Sequence, residues 1–280
     1  YPNIKIESLL DSSIPYLELN KIWNDPNNPY TGEGVVVGVI DTGIDYTHPS
    51  LGGCLGSKCK VIGGYDFINE DPDPMDDNYH GTHVASTIAG SDNNGLIGVA
   101  PGAKLVGLKV LDSEGSGNLY NIFLAYDYAV DLNQNGIPLE NDKDSVDILS
   151  MSLGAFLNDP DHEIAIATNE LLDKGILPVV AAGNSGPYNK TIGLPGASKE
   201  ALTVGASGNF YGRESKLLVD GVELESFAAY HTSIGEVSGE LFDAGDGTDL
   251  SSIPEGSIAY VNRGFINFNE LVINAETQGI

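Results

Sequence analysis

Two stretches organise this 280-residue chain: Val39-Ile40-Asp41-Thr42-Gly43-Ile44-Asp45 and Asp76-Asp77-Asn78-Tyr79-His80-Gly81-Thr82-His83-Val84-Ala85. The apolar, β-branched run Gly34–Ile40 precedes Asp41. A run of that kind reads as a strand buried on both faces of a parallel sheet, which puts the Asp41 carboxylate at the strand's carboxyl end. His80 opens an apolar-periodic segment reaching about Ala89, and Gly81 and Thr82 keep its first turn slim. A helix-start imidazole is thereby expected to face a strand-end carboxylate, at the edge where open α/β sheets hold their sites. A buried Asp so placed fixes the imidazole tautomer and stabilises the imidazolium that forms when the ring takes a proton. Taken singly, each residue has a plainer reading: a strand-end Asp caps turns, and a lone His sits in a core or on a surface.

Outward from these stretches the pattern is strand, helix, strand. Strand-like runs fall at Val35–Ile40, Val61–Phe67, Lys104–Val110, Val146–Met151, Leu177–Ala182 and Ala201–Val204, and helix-like stretches at His80–Gly90, Leu119–Leu132 and Ile164–Lys174. Alternation of this kind predicts an α/β fold, a parallel sheet with helices on both faces. Residues 1–20 are mixed and polar, with Leu9, Ile14 and Leu17 as candidate anchors, and from about Gly208 the chain shifts to short strands and turns.

Asp-Thr-Gly-Ile-Asp followed by His-Gly-Thr-His-Val-Ala resembles the subtilisin-like serine protease family. The resemblance implies a subtilisin-like catalytic domain over 21–207, acting on protein or peptide substrates, with Asp41 as the orienting acid and His80 as the general base. By the same resemblance Gly115, Ser116 and Gly117 form an edge strand that pairs with an extended substrate backbone, a mode of binding that grips any sequence. Ser152, Leu153 and Gly154 would form one wall of the primary specificity pocket, Ala182 and Gly183 the other, and Asn184 would donate its amide to the developing oxyanion. Residues 1–20 would adjoin an inhibitory propeptide. The family's Gly-Thr-Ser-Met-Ala block occurs nowhere in these residues. The nucleophilic serine is therefore expected on a C-terminal segment or a second chain, and the 280 residues alone are predicted inactive. Ser257–Gly264, with a helix predicted over Phe268–Thr277, resembles part of a protease-associated domain, giving a partial β-rich insert over 208–280.

Forty acidic against thirteen basic residues give a net charge of -27, which repels phosphate backbones and makes nucleic acid an improbable partner. The apolar fraction of 41% is that of a folded globule, so the acidity belongs to its surface. Divalent cations suit such a surface. Asp131, Asn133, Asn135, Ile137 and Asp142 fall at alternating places around Gly136 like the start of a calcium loop, with Asp142 where a bidentate acid is expected; a polar insertion with ordinary turns is the alternative. Cys54 and Cys59, with four residues between them, are the only cysteines; a small disulfide in an exported protein is expected, since no second thiolate pair completes a zinc site. These features place the protein outside the cell or at its surface. Two other readings are a noncatalytic peptide-binding pseudoprotease and a calcium-dependent cell-surface protein.

Overall fold

The computed structural model describes residues 10–26, 29–91, 96–135, 144–186, 188–207, 214–219, 222–227, 239–245, 249–261, 275 and 277. Contacts divide the chain into two units, Tyr1–Tyr211 and Gly212–Ile280.

The first unit opens with two short helices, α1 (Leu10–Tyr16) and α2 (Leu19–Trp23). Of the expected anchors, Leu17 is 54% exposed, Ile14 is half-buried and Leu9 lies outside the described residues, while Leu19 is buried. Six strands follow: β1 (Val36–Asp41), β2 (Val61–Asp66), β3 (Lys104–Lys109), β4 (Ile148–Met151), β5 (Leu177–Ala181) and β6 (Leu202–Val204). They form one sheet in the order β2-β3-β1-β4-β5-β6, every neighbouring pair parallel. Between them lie α3 (His80–Ala89), α4 (Leu119–Val130) and α5 (Glu163–Asp173).

Residues alternate between the two faces, as pleated strands require. Val37, Val39 and Leu105 pack with Ala85 and Ala89 of α3 in one core cluster. Ile40, Val106, Leu108 and Leu149 pack with Ile122 and Ala125 of α4 and Ile164 and Leu171 of α5 in another. A parallel sheet buried this way leaves only its strand ends for chemistry. β1 lies at the switch point, because the chain leaves it for β2 on one side while its other neighbour, β4, leads on to β5 on the opposite side, and loops leaving the carboxyl ends there diverge to open a crevice.

In the second unit β7 (Glu214–Val219) pairs antiparallel with β8 (Val222–Phe227), and β9 (Leu241–Asp243) pairs in parallel with β10 (Ile258–Tyr260). Ala244, Leu250 and Ile253 form its small core cluster. Of the helix predicted over Phe268–Thr277, only Ala275 and Thr277 are described, both helical. Cys54 and Cys59 form a disulfide, with Cα atoms 5.7 Å apart. No helix among the described residues is long and apolar enough to cross a membrane.

Helix α5 begins with an uncommon cap: the ring Nδ1 of His162 accepts the Ile164 N–H at 3.3 Å, and Glu163 adds an acid to the first turn. The His48 ring does the same for Ser50 N–H at 3.2 Å, ahead of the short 3₁₀ turn Pro49–Leu51. Replacing His162 by Ala leaves an orphan amide and is expected to cost about 1 kcal/mol. His162→Asn, which supplies a shorter acceptor, should recover most of that loss; urea denaturation of the three proteins tests it.

Candidate active site

Asp41 ends β1 and is fully buried, and His80 opens α3. The imidazole Nδ1 lies 2.6 Å from Asp41 Oδ1, which also accepts the Thr42 N–H at 2.8 Å. Asp41 Oδ2 has no hydrogen-bond partner among the described residues. The His80 ring stays 51% exposed, open toward the crevice. Its basicity is raised above that of an ordinary imidazole, first by the hydrogen bond to Asp41, against the opposing pull of burial, and further by the charges of Asp41 and Asp76.

Two glycines let these side chains meet. A Cβ on Gly81 would stand 2.0 Å from the Gly43 carbonyl oxygen. Gly43 itself has φ +112°, and a Cβ there would meet the Pro74 and Met75 carbonyls at 2.7 and 2.8 Å. Backbone therefore runs against backbone where α3 touches the loop after β1, and any side chain would drive the two apart.

The entry to α3 is held from outside the helix. Tyr79 immediately before His80 is left-handed, φ 79°, a conformation that a bulky side chain adopts only under constraint. The constraint is Asp76. Its Oδ1 accepts from Asn78 N at 2.9 Å, Tyr79 N at 3.0 Å and Thr42 Oγ1 at 2.8 Å. Its Oδ2 accepts from Thr82 N at 2.9 Å and from the Thr82 hydroxyl. Thr42 Oγ1 in turn accepts the Gly81 N–H at 2.9 Å. Burial by itself would raise the Asp76 pKa, but the bonds from Thr82, Asn78 and Thr42 outweigh it and hold the carboxyl below its usual range. Reasoning from sequence missed Asp76 and Thr42. The signal for both was their place: one follows Asp41, and the other stands four residues before His80.

Beside the pair lies a crevice of about 580 Å³, walled by the loops after β3 and β4. Thr42, Asn78 and His80 line it, with Gly115, Ser116 and Gly117 on one side and Ser152, Leu153 and Gly154 on the other. Residues 111–117 are folded over rather than extended. Asp112 Oδ1 accepts the Glu114 and Ser116 amides, each at 2.9 Å, and Leu111 bridges Gly117 in antiparallel fashion. Asn78 Nδ2 ties this loop to the His80 segment through the Ser113 carbonyl at 2.9 Å. Ala182, Gly183 and Asn184 follow β5, the next strand along, with Gly183 and Asn184 exposed, and none of the three lines this crevice.

Of the predicted calcium ligands, Asp131, Asn133 and Asn135 follow the end of α4, and Ile137 and Asp142 lie outside the described residues. Asp131 Oδ1 and Asn133 Oδ1 both accept the Asn135 N–H, at 3.1 and 3.0 Å, while Asp144 Oδ2 accepts the Asn133 N–H at 3.1 Å. Among the described residues no three His, Cys, Asp or Glu side chains cluster to hold a metal.

A six-stranded parallel sheet with an Asp–His pair at its switch point defines a subtilisin-like α/β protein. A solved cold-adapted subtilisin-like serine proteinase shares the fold, with a TM-score of 0.50 and 31% identity over 64% of this chain and 57% of that one. The sequence profile of the subtilase family matches residues 32–273, and the chain belongs to that family. It is 34% identical to the minor extracellular protease Vpr of Bacillus subtilis over 96% of this chain and 33% of that protein. To the serine protease AprX of the same organism it is 39% identical, over 74% and 45% of the two chains. Subtilisin DY of Bacillus licheniformis is 35% identical, over 85% and 79%. The chain thus spans less than half the length of Vpr and AprX.

Because one carboxylate serves five donors, Asp76→Asn must turn an amide N–H toward at least one of them. Loss of a charge-assisted network of this kind is expected to cost roughly 2–3 kcal/mol, read as a lowered urea midpoint. The Asp76 contribution should be present at neutral pH and fade as pH falls through its depressed pKa, since a carboxyl shifted down stabilises the fold only while ionised.

Proposed function

We propose that this chain supplies the acid, the base and the oxyanion donor of a secreted serine endopeptidase. The observation that carries the reading is the 2.6 Å bond between His80 and Asp41 at the mouth of a crevice lined by two strand-end loops. With Nδ1 engaged by Asp41, Nε2 is the ring nitrogen left to take a proton. A serine hydroxyl set against Nε2 loses its proton to the ring as it attacks a peptide carbonyl, and the imidazolium then protonates the leaving amine. The buried Asp41 carboxylate holds the ring's orientation and offsets its charge. Asn184 is assigned as the amide donor to the developing oxyanion, a contribution of about 3 kcal/mol in comparable sites.

The serine itself is assigned to protein outside these 280 residues, on a following segment or second chain, which fits the greater length of Vpr and AprX. Leu153 and Gly154 line the crevice and are assigned to the wall that receives the substrate side chain; Ala182 and Gly183, which do not line it, are assigned to the opposite wall, and Gly115–Gly117 to the substrate backbone. The Cys54–Cys59 disulfide and the likeness to Vpr, a minor extracellular protease, favour an oxidising location, with a propeptide as inhibitor. Residues 208–280 are read as part of a protease-associated domain. The oxygen-rich turn at Asp131, Asn133 and Asn135 is assigned to calcium, completed by residues beyond 135. If so, EGTA lowers the melting temperature of the chain by several degrees and calcium restores it; an unchanged melting temperature removes the metal.

The full-length protein treated with a fluorophosphonate is expected to become tagged at one serine outside this chain and to lose peptidase activity. No tag on folded full-length protein overturns the catalytic reading in favour of a peptide-binding module. His80→Ala is expected to lower kcat by roughly 10⁴-fold or more. The acid limb of the kcat/KM profile should lie above the ordinary imidazole pKa of about 6.5, because only neutral His80 acts as base and its pKa is raised. Asp41→Asn should move that limb to lower pH while reducing the rate.

A further inference from the structure

Lys109 is the largest fully buried side chain among the described residues, 1% exposed, and it ends strand β3 beside Asp41. An ammonium in such a place must spend each of its three donors on an acceptor or destabilise the fold. All three are spent: on the Thr42 carbonyl at 2.7 Å, the Asp77 carboxylate at 2.6 Å and the Leu111 carbonyl at 2.9 Å. The three acceptors belong to three different parts of the candidate site. Thr42 follows the acid Asp41, Asp77 begins the approach to the base His80, and Leu111 begins the loop that carries Gly115–Gly117. The backbone reinforces the convergence, because the Asp41 carbonyl accepts the Val110 and Leu111 amides at 2.9 and 3.2 Å.

A lone ion pair is a poor explanation for a lysine here. Asp77 is 48% exposed, so water screens the attraction, and an apolar residue would fill the same space without a desolvation cost. What an apolar residue cannot do is fix three separate segments at one point. We propose that Lys109 is a positioning residue: its buried ammonium holds the acid-bearing strand end, the base-bearing segment and the peptide-binding loop in one register, so that substrate binding and Asp–His alignment depend on the same clamp. The proposal rests on the reading of Asp41 and His80 as acid and base. The Lys109 ammonium bonds to neither of their side chains and acts through Thr42, Asp77 and Leu111.

The test uses full-length protein, wild type, Lys109→Met and Asp77→Ala, with two readouts. The first needs no turnover: the low-field proton resonance of His80 Nδ1–H, which reports the bond to Asp41. It is expected to be sharp in wild type and shifted upfield and broadened in Lys109→Met. The second is kinetic. In Lys109→Met, kcat should fall at least tenfold on both a single-residue ester and a long peptide anilide, while KM rises only for the long peptide, which reaches the Gly115–Gly117 loop. Asp77→Ala removes one of the three anchors and keeps the lysine, so it should show both changes to a smaller degree; it carries the test alone if Lys109→Met does not fold. Folded variants that melt lower but keep the resonance, kcat and KM overturn the proposal and leave Lys109 an ordinary structural residue. A resonance that responds to Lys109 in a full-length protein without peptidase activity supports the clamp and rejects the catalytic reading instead.

Discussion

The contact of Gly81 with the Gly43 carbonyl sets how near helix α3 comes to the end of β1, and the remainder of the site is arranged around that distance. With no Cβ on either residue, the first turn of the helix rests on the loop backbone, and the His80 ring reaches Asp41 without help from a long side chain. Contact alone leaves the helix free to rotate on its loop. Asp76 removes that freedom, because its two oxygens bind donors before His80, after His80 and beside Asp41. The left-handed Tyr79 is a visible cost of the arrangement, tolerated where surrounding bonds over-determine the backbone.

Charge in this molecule is distributed in a way that its composition hides. The excess of acids belongs mostly to solvated surface, yet Asp41, Asp66 and Asp76 are drawn wholly or partly inside, where their oxygens organise amides. Asp66, for example, closes the turn after β2 by accepting the Ile68 and Asn69 amides at 2.7 and 2.9 Å. These inward carboxylates act as local fasteners rather than as a field. Lys109 is their positive counterpart on the same edge of the sheet.

The parallel sheet, its six strands and three helices were legible because apolar periodicity is strong in buried strands; observed ends lie within two residues of the expected ones. Asp41 and His80 were legible because their motifs are long and ordered. Asp76 was not, since an Asp in a polar loop reads as one more turn former, and the number of donors converging on it is a property of three dimensions. Lys109 was hidden for the opposite reason: a charged residue at the end of an apolar strand looks like the place where the strand meets solvent. The folding-over of 111–117 also escaped, because Asp112 closes that turn through its side chain, which glycine and serine content alone does not reveal.

Every wall of the crevice hangs from a different strand of an all-parallel sheet, and this has a kinetic meaning. Parallel neighbours are joined only by long crossovers, so the loops after β1, β3 and β4 come together late, after much of the chain has lost its conformational entropy. No single strand–crossover–strand step brings the loops after β1, β3 and β4 together. A chain of this topology is expected to pass through partly assembled states that have secondary structure and hydrophobic surface but no active geometry, and to cross its highest barrier when the sheet closes around β1.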